Sequence, residues 1–193
     1  YDSAYFYGKK VFKLYKDSPI DSFLIKAALF TAKSKHKISV NDSTDYIRIA
    51  KETAKKIKDW KALIEINYFE GNKYFENSEN EIALSYFLRI DSIASEQNII
   101  NSTVIEGLIK RSEISRLGFT AESTDYAYIL LNDALKLAKE MDFQDDIHYI
   151  YIYLADVSGL KGNYEEAKRY IDLALNYFLQ KSDKKSEKSV IRL

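Results

Sequence analysis

Residues able to do covalent or acid–base chemistry are sparse in this chain of 193 residues, which has two histidines and no cysteine. His36 stands in the basic run Lys33-Ser34-Lys35-His36-Lys37, where a solvated surface imidazole is the expected state. Asp145 and His148 lie three residues apart, which puts both on one helix face at a spacing that metal sites in helical bundles use. Such a site needs a second acidic–His pair from another helix, and the sequence supplies none, so no metal is expected. The pairs Asp145-Asp146 and Glu165-Glu166 point to different faces and read as negative charge near helix starts, not as acid/base dyads. Phosphate-cradling G-x-x-x-x-G-K-[ST] and G-x-G-x-x-G loops, the H-E-x-x-H zinc helix and the G-x-S-x-G nucleophile elbow are missing from the sequence. The expectation is a chain without catalysis and without cofactor. The lack of Cys excludes disulfides and zinc thiolates, and it suits a reducing cytoplasm or an oxidising periplasm alike.

What remains is composition that builds elements and surfaces. With 46% apolar and 30% charged residues, the chain can form a core. Sixteen Tyr and ten Phe against one Pro and six Gly describe a helix-rich chain, not a collagen-like or Pro-rich one. The longest unbroken apolar stretch is Tyr149–Ala155, seven residues, where a membrane-spanning helix needs about 20. Twenty-nine basic residues balance twenty-nine acidic ones. Residues 1–61 hold fourteen basic and seven acidic side chains, a net of +7, and residues 62–193 hold fifteen and twenty-two, a net of −7. Residues 62–180 carry ten basic and twenty acidic side chains, so phosphate is repelled there and no nucleic acid is expected. The basic clusters Lys9-Lys10-Lys13-Lys16 and Lys181–Lys188 read as solvated charge with the capacity to meet acidic surfaces.

Apolar residues recur at helical spacing, as in Ile47, Ala50, Ala54 and Ile57, or Ala127, Leu130, Leu131, Ala134, Leu137 and Ala138. Tyr149–Tyr153 tempts a strand assignment, but its flanks continue the helical period, so it is read as helix. Polar clusters punctuate the pattern at Asp17-Ser18-Pro19, Asn41–Thr44, Asn77–Asn80, Gln97-Asn98, Thr120–Thr124, Gly162-Asn163 and Lys181–Lys185. Several begin with residues that cap helices by accepting from free first-turn N–H groups. The result is about ten helices joined by short connections, which force neighbours to lie antiparallel as hairpins.

The hairpins repeat. Ile47, Ala83, Ala127 and Ala167 mark one face, and Ala54, Ile90, Ala134 and Ala174 follow seven residues later on the same face. The first markers are 36, 44 and 40 residues apart, a period of the helix–turn–helix repeat kind with insertions close to whole helical turns. Gly162–Leu175, G-N-Y-E-E-A-K-R-Y-I-D-L-A-L, resembles a tetratricopeptide repeat, with Gly162 closing the turn and Ala167 and Ala174 permitting close helix approach. Gly71, Tyr74, Ala83 and Phe87 are similar to the same small–aromatic framework. Ser115 and Gly118 before Ala127 depart from the pattern, as do Ile47 and Ile90. The resemblance covers nearly the whole chain as one domain, 1–193: a half repeat over 1–16, hairpins near 18–58, 60–96, 99–140 and 143–180, and the start of another over 184–193. Val190, Ile191 and Leu193 are then orphaned apolar residues, and the natural protein is expected to continue in both directions.

The resemblance implies an all-α, right-handed superhelical solenoid of antiparallel helical hairpins whose first helices line a concave face. In that register the concave positions are Glu65, Tyr68, Asn72 and Phe75, then Ser112, Arg116 and Phe119, then Tyr149, Ile152 and Asp156. Aromatic bodies with polar tips suit a protein or peptide segment, although Tyr68 and Tyr149 are equally eligible for the core. Sixteen Tyr are read as more than packing needs, since Leu or Phe fills a core without a hydroxyl to satisfy. The chain is similar in style to repeat segments of bacterial regulators that precede a DNA-binding or kinase output, which implies a sensor or scaffold in signalling or transcription regulation. The alternatives are a peptide-pheromone receptor, for which Asn67 and Asn72 are the groove candidates, and self-association through exposed terminal helices to a homo-oligomer.

Overall fold

A computed structural model describes residues 2–17, 21–38 and 44–181. The breaks placed at Ser18-Pro19 and Asn41–Ser43, the basic residues beyond Lys181, the repeat start over 184–193, and Val190, Ile191 and Leu193 lie outside the described residues. Among those described, the chain is all-α, with no strand. The helices are α1 (Asp2–Lys16), α2 (Asp21–His36), α3 (Tyr46–Ile57), α4 (Trp60–Glu76), α5 (Asn80–Gln97), α6 (Ser102–Arg116), α7 (Ala121–Glu140), α8 (Gln144–Leu160) and α9 (Tyr164–Gln180). Tyr149–Tyr153 lies inside α8, because the apolar period of its flanks carries through it.

Each helix end has a local cause. Asp45, Asp59 and Asn101 accept from the backbone N–H of Arg48, Ala62 and Val104, each at 3.0 Å, and so cap α3, α4 and α6. Thr120 and Ser123 cap α7 reciprocally, side chain to backbone in both directions; the expected break over Thr120–Thr124 is therefore already helix from Ala121. Helices α3 to α8 each run out through one left-handed residue: Lys58, Ser78, Asn98, Phe119, Asp142 and Gly162. Only Gly162 is free of the side-chain penalty there. These turns are short, and within each compact part of the chain, α1 to α5 and α6 to α9, consecutive helices pack side by side.

The helices form two compact units that divide between Ile99 and Ile100. In the first, Tyr5, Phe12, Leu24, Ile25, Ala28, Tyr46, Ala50, Ala54, Leu63 and Ile66 build a core shared by α1 to α4. Tyr46 is buried and Ile47 only half-buried, so the earliest repeat marker sits one residue away from the position that packs. Helix α5 joins through the approach that Gly71 permits: a Cβ there would lie 2.7 Å from Cε1 of Phe87, which is fully buried. In the second unit, Ile105, Leu131, Ala134, Ile150, Leu154 and Val157 pack between α6, α7 and α8. Ala174 and Phe178 of α9 close its end. Ala83, Ala127, Ala134, Ala167 and Ala174 are all buried, as small residues at helix crossings must be.

Candidate functional site

The first helices of the hairpins are packed to different extents, α4 on one side and α6 over more of its circumference. On α4, Leu63, Ile64, Ile66, Asn67 and Gly71 turn inward. Glu65, Tyr68, Asn72 and Phe75 fall on the opposite stripe, at least partly exposed. Tyr68 also touches the core, its ring tilted against Phe87 at 6.1 Å. Asn67 is buried, with Nδ2 donating to the Leu63 carbonyl at 2.7 Å; of the two groove asparagines, Asn72 alone faces outward. Glu65 borders a cavity of about 580 Å³ between α2 and α4.

In the second unit, Arg116 of α6 forms an ion pair with Asp156 of α8. Together with Phe119 they border an open cavity of about 680 Å³ whose other walls include Leu117, Thr124 and Leu160. Phe119 is 88% exposed and has φ of 52°, a left-handed backbone that a bulky side chain disfavours. Lys161 pairs with Asp125 at 2.6 Å along the same rim. Tyr149, 36% exposed, leans on Phe178 at 5.0 Å, and Ile152 is half-buried. Ser112 does not reach this face. It is 1% exposed, and its hydroxyl donates to the Ile109 carbonyl at 2.7 Å, because α6 is packed over more of its circumference than a one-sided helix.

Ten of the sixteen tyrosines fall into three groups. Tyr5, Tyr46 and Tyr170 are core. Others spend their hydroxyls on carboxylates from neighbouring helices: Tyr86 on Glu70 at 3.3 Å, Tyr128 on Glu166 at 3.2 Å and Tyr177 on Asp145 at 2.5 Å. Tyr7, Tyr126, Tyr149 and Tyr164 are exposed. At Tyr86, Tyr128 and Tyr177 an apolar body packs while the hydroxyl ties two helices together. Glu70 also takes Lys51 at 2.8 Å, and Glu166 takes the Ser158 hydroxyl at 3.0 Å. Burial, then the hydrogen bond with Tyr128, pushes the Tyr170 phenol up to about 12.

Neither histidine stands alone. His36 Nε2 lies 3.0 Å from Glu76 and its ring meets the edge of Phe69, so it ties α2 to α4 where free solvation was expected. That hydrogen bond holds the Glu76 carboxyl below its ordinary range. His148 stacks flat on Tyr177 at 3.8 Å. Asp145, its partner in the metal-like spacing, is engaged by Lys181 and Tyr177, which hold its carboxyl low. Among the described residues no group of three or more His, Cys, Asp or Glu could hold a metal ion, and no helix is long and apolar enough to cross a membrane.

Two surface features were not anticipated from the sequence. A cavity of about 760 Å³ lies where the end of α2 meets α3 and α4, with Lys35, Arg48, Lys51, Phe69 and Lys73 on its walls. The open side of α2, with Phe23, Lys26, Phe30 and Lys33 exposed, was missed because apolar residues surround much of that helix and mask its period.

Antiparallel hairpins with small residues at their crossings define a helical-repeat protein. No protein-family profile matches the chain. It is similar to the tetratricopeptide repeat protein 19, mitochondrial, of Mus musculus, 26% identical over 112 residues that make up 58% of this chain and 31% of that protein. The Rattus norvegicus protein of the same name is 27% identical over 86 residues, 45% of this chain and 23% of its own length. The Homo sapiens one is 27% identical over 86 residues, 45% and 22% respectively. The chain thus spans less than a third of the length of these relatives. The likeness supports a relationship to tetratricopeptide-repeat proteins.

Proposed function

We propose that this chain is a non-catalytic module that binds a protein or peptide segment on the open faces of its first helices, as the sensor or scaffold part of a larger signalling or transcription-regulatory protein. One observation carries the reading. In each unit aromatic and polar side chains stand at least partly exposed on otherwise packed helices: Glu65, Tyr68, Asn72 and Phe75 on α4, where Glu65 borders an open cavity, and Arg116, Tyr149 and Asp156 on α6 and α8, where Arg116 and Asp156 border another. Held by rigid helices, such groups offer apolar area and directional partners with little ordering entropy to lose. The tetratricopeptide-repeat relatives favour a protein partner over a small molecule.

Selection from a displayed random-peptide library tests this. Enriched peptides sharing a sequence pattern, with binding lost on joint substitution Tyr68→Ala, Arg116→Ala and Tyr149→Ala, are the expected result. No enrichment, or peptides indifferent to that substitution, would overturn it. A second reading, self-association, is favoured by α1, whose outer side exposes Phe6, Tyr7, Val11 and Leu14. Sedimentation across a concentration series decides it: rising mass that the substitution Leu14→Glu abolishes supports it, and constant mass refutes it.

A further inference from the structure

The face of α2 in the first unit carries a pattern that the reading of α4 does not use. Phe23, Lys26, Phe30 and Lys33 follow at intervals of three, four and three residues, and all four are exposed, which places them on one stripe of the helix. The opposite side is packed by Leu24, Ile25, Ala28 and Ala32. Between this stripe and the start of α4 lies the cavity of about 580 Å³, with Ile25, Leu29 and Ala62 among its apolar walls and Lys26, Lys33, Lys61 and Glu65 around it.

The aromatic groups are held in place before any partner arrives. A Cβ on Gly8 of α1 would lie 3.1 Å from Cδ1 of Phe30, so that ring is wedged against the neighbouring helix while half of it faces out. Phe23 stacks on Tyr15 of α1 at 5.1 Å. The ammonium groups of Lys26, Lys33 and Lys61 have no carboxylate within ion-pair distance among the described residues, whereas Lys37, Arg48, Lys51 and Lys56 of the same unit are each paired. Of the two carboxylates at the groove, Asp59 accepts from the Ala62 N–H as a helix cap, which leaves Glu65 facing outward on the far rim.

We infer that the groove between α2 and α4 takes an acidic protein segment: an aliphatic side chain enters over Ile25 and Leu29 against Phe30, and flanking carboxylates meet Lys26, Lys33 and Lys61. This rests on the reading that first-helix faces bind protein. A discrete pattern of carboxylates satisfies the three lysines and avoids Glu65 and Asp59, and a continuous phosphate backbone does not avoid them. Charge complementarity here sets specificity and association rate more than total affinity.

The test uses the whole chain and a short fluorescein-labelled peptide with two central Leu flanked by Glu. The comparisons are matched peptides with Gln or Lys in place of Glu, and an oligothymidylate of similar length. Fluorescence anisotropy should show the Glu peptide binding on the order of tenfold tighter than the Gln peptide, the sum of three partly exposed ion pairs. The difference should vanish in K26Q/K33Q/K61Q and at high salt, and Phe30→Ala should weaken both peptides. Equal affinity for the Glu and Gln peptides, still lost in Phe30→Ala, overturns the charge selection and leaves the first-helix reading standing. Tighter binding of oligothymidylate overturns it in favour of nucleic acid. No binding of any probe by a chain that still binds library-selected peptides through Tyr68, Arg116 and Tyr149 overturns this inference alone. If no peptide of either kind binds, both readings fall.

Discussion

Replacing Gly71 by Ala tests whether α4 and α5 meet as closely as the repeat requires. The added Cβ would stand 2.7 Å from Cε1 and 2.9 Å from Cζ of Phe87, where carbon atoms ordinarily rest about 3.5–4.0 Å apart. Phe87 is fully buried, so its ring has nowhere to retreat without moving its neighbours. Overpacking of this kind costs about 1–3 kcal/mol. Helix propensity returns about 1 kcal/mol, because Ala is the better helix former. The expected result is a first unit destabilised by about 1 kcal/mol, which lowers the midpoint of a unit of this size by about 4–8 °C. Gly159 in α8 is the control: a Cβ there meets nothing within 4 Å, so Gly159→Ala should stabilise by a few tenths to about 1 kcal/mol. Urea and thermal unfolding of both variants supply the comparison. Phe87→Leu in the Gly71→Ala background should recover part of the loss, with a coupling of at least about 0.5 kcal/mol. Equal stabilisation by Gly71→Ala and Gly159→Ala, or absence of coupling to Phe87, would refute the close approach.

Phe119→Gly should stabilise the second unit by about 1 kcal/mol by relieving the left-handed backbone, and should weaken partner binding if the exposed ring is a contact; a loss of stability would contradict the strain. Gly162→Ala, at φ of 76°, should destabilise by about 1 kcal/mol in urea titrations. The Asp145 carboxyl is held low, so the folded state favours its ionised form; the stability it contributes is present above the ordinary carboxylate range and is lost as pH falls through its lowered folded value. Asp145→Asn should flatten that part of the acid-unfolding profile, and an unchanged profile would count against the Lys181 and Tyr177 contacts. Tyr170 works in the opposite direction: raised to about 12, it contributes stability that is whole below pH about 10 and lost as pH rises toward about 12. Tyr86 and Tyr177 are also pushed up, so tyrosinate absorbance should show several late-titrating phenols, of which Tyr170→Phe removes one.

Helix positions were legible because burial alone writes them: Ala127, Leu130, Leu131, Ala134 and Ala138 are spaced by the helix and are all inside. The hairpin markers Ala83, Ala127, Ala167 and Ala174 were legible for the same reason. What was hidden depends on partners far along the chain. His36 reaches Glu76 forty residues on, and Tyr177 reaches Asp145 across thirty-two; local composition shows only a basic run and an acidic pair. Ser112 was misjudged because its stripe is open on α4 but covered on α6. On the candidate faces, spacing located Glu65, Tyr68, Asn72 and Phe75 on an outward stripe, and it missed Phe30 and Lys33, whose helix is apolar around most of its circumference.

The most direct test of the central claim is an equilibrium titration of one library-selected peptide against the native chain and the variant with Tyr68, Arg116 and Tyr149 replaced by Ala, with circular dichroism on both. Each of the three side chains is partly exposed, so helix content should be unchanged while affinity falls by at least about tenfold, as removal of central contacts entails. Undiminished affinity in a fully helical variant would contradict binding on the first-helix faces.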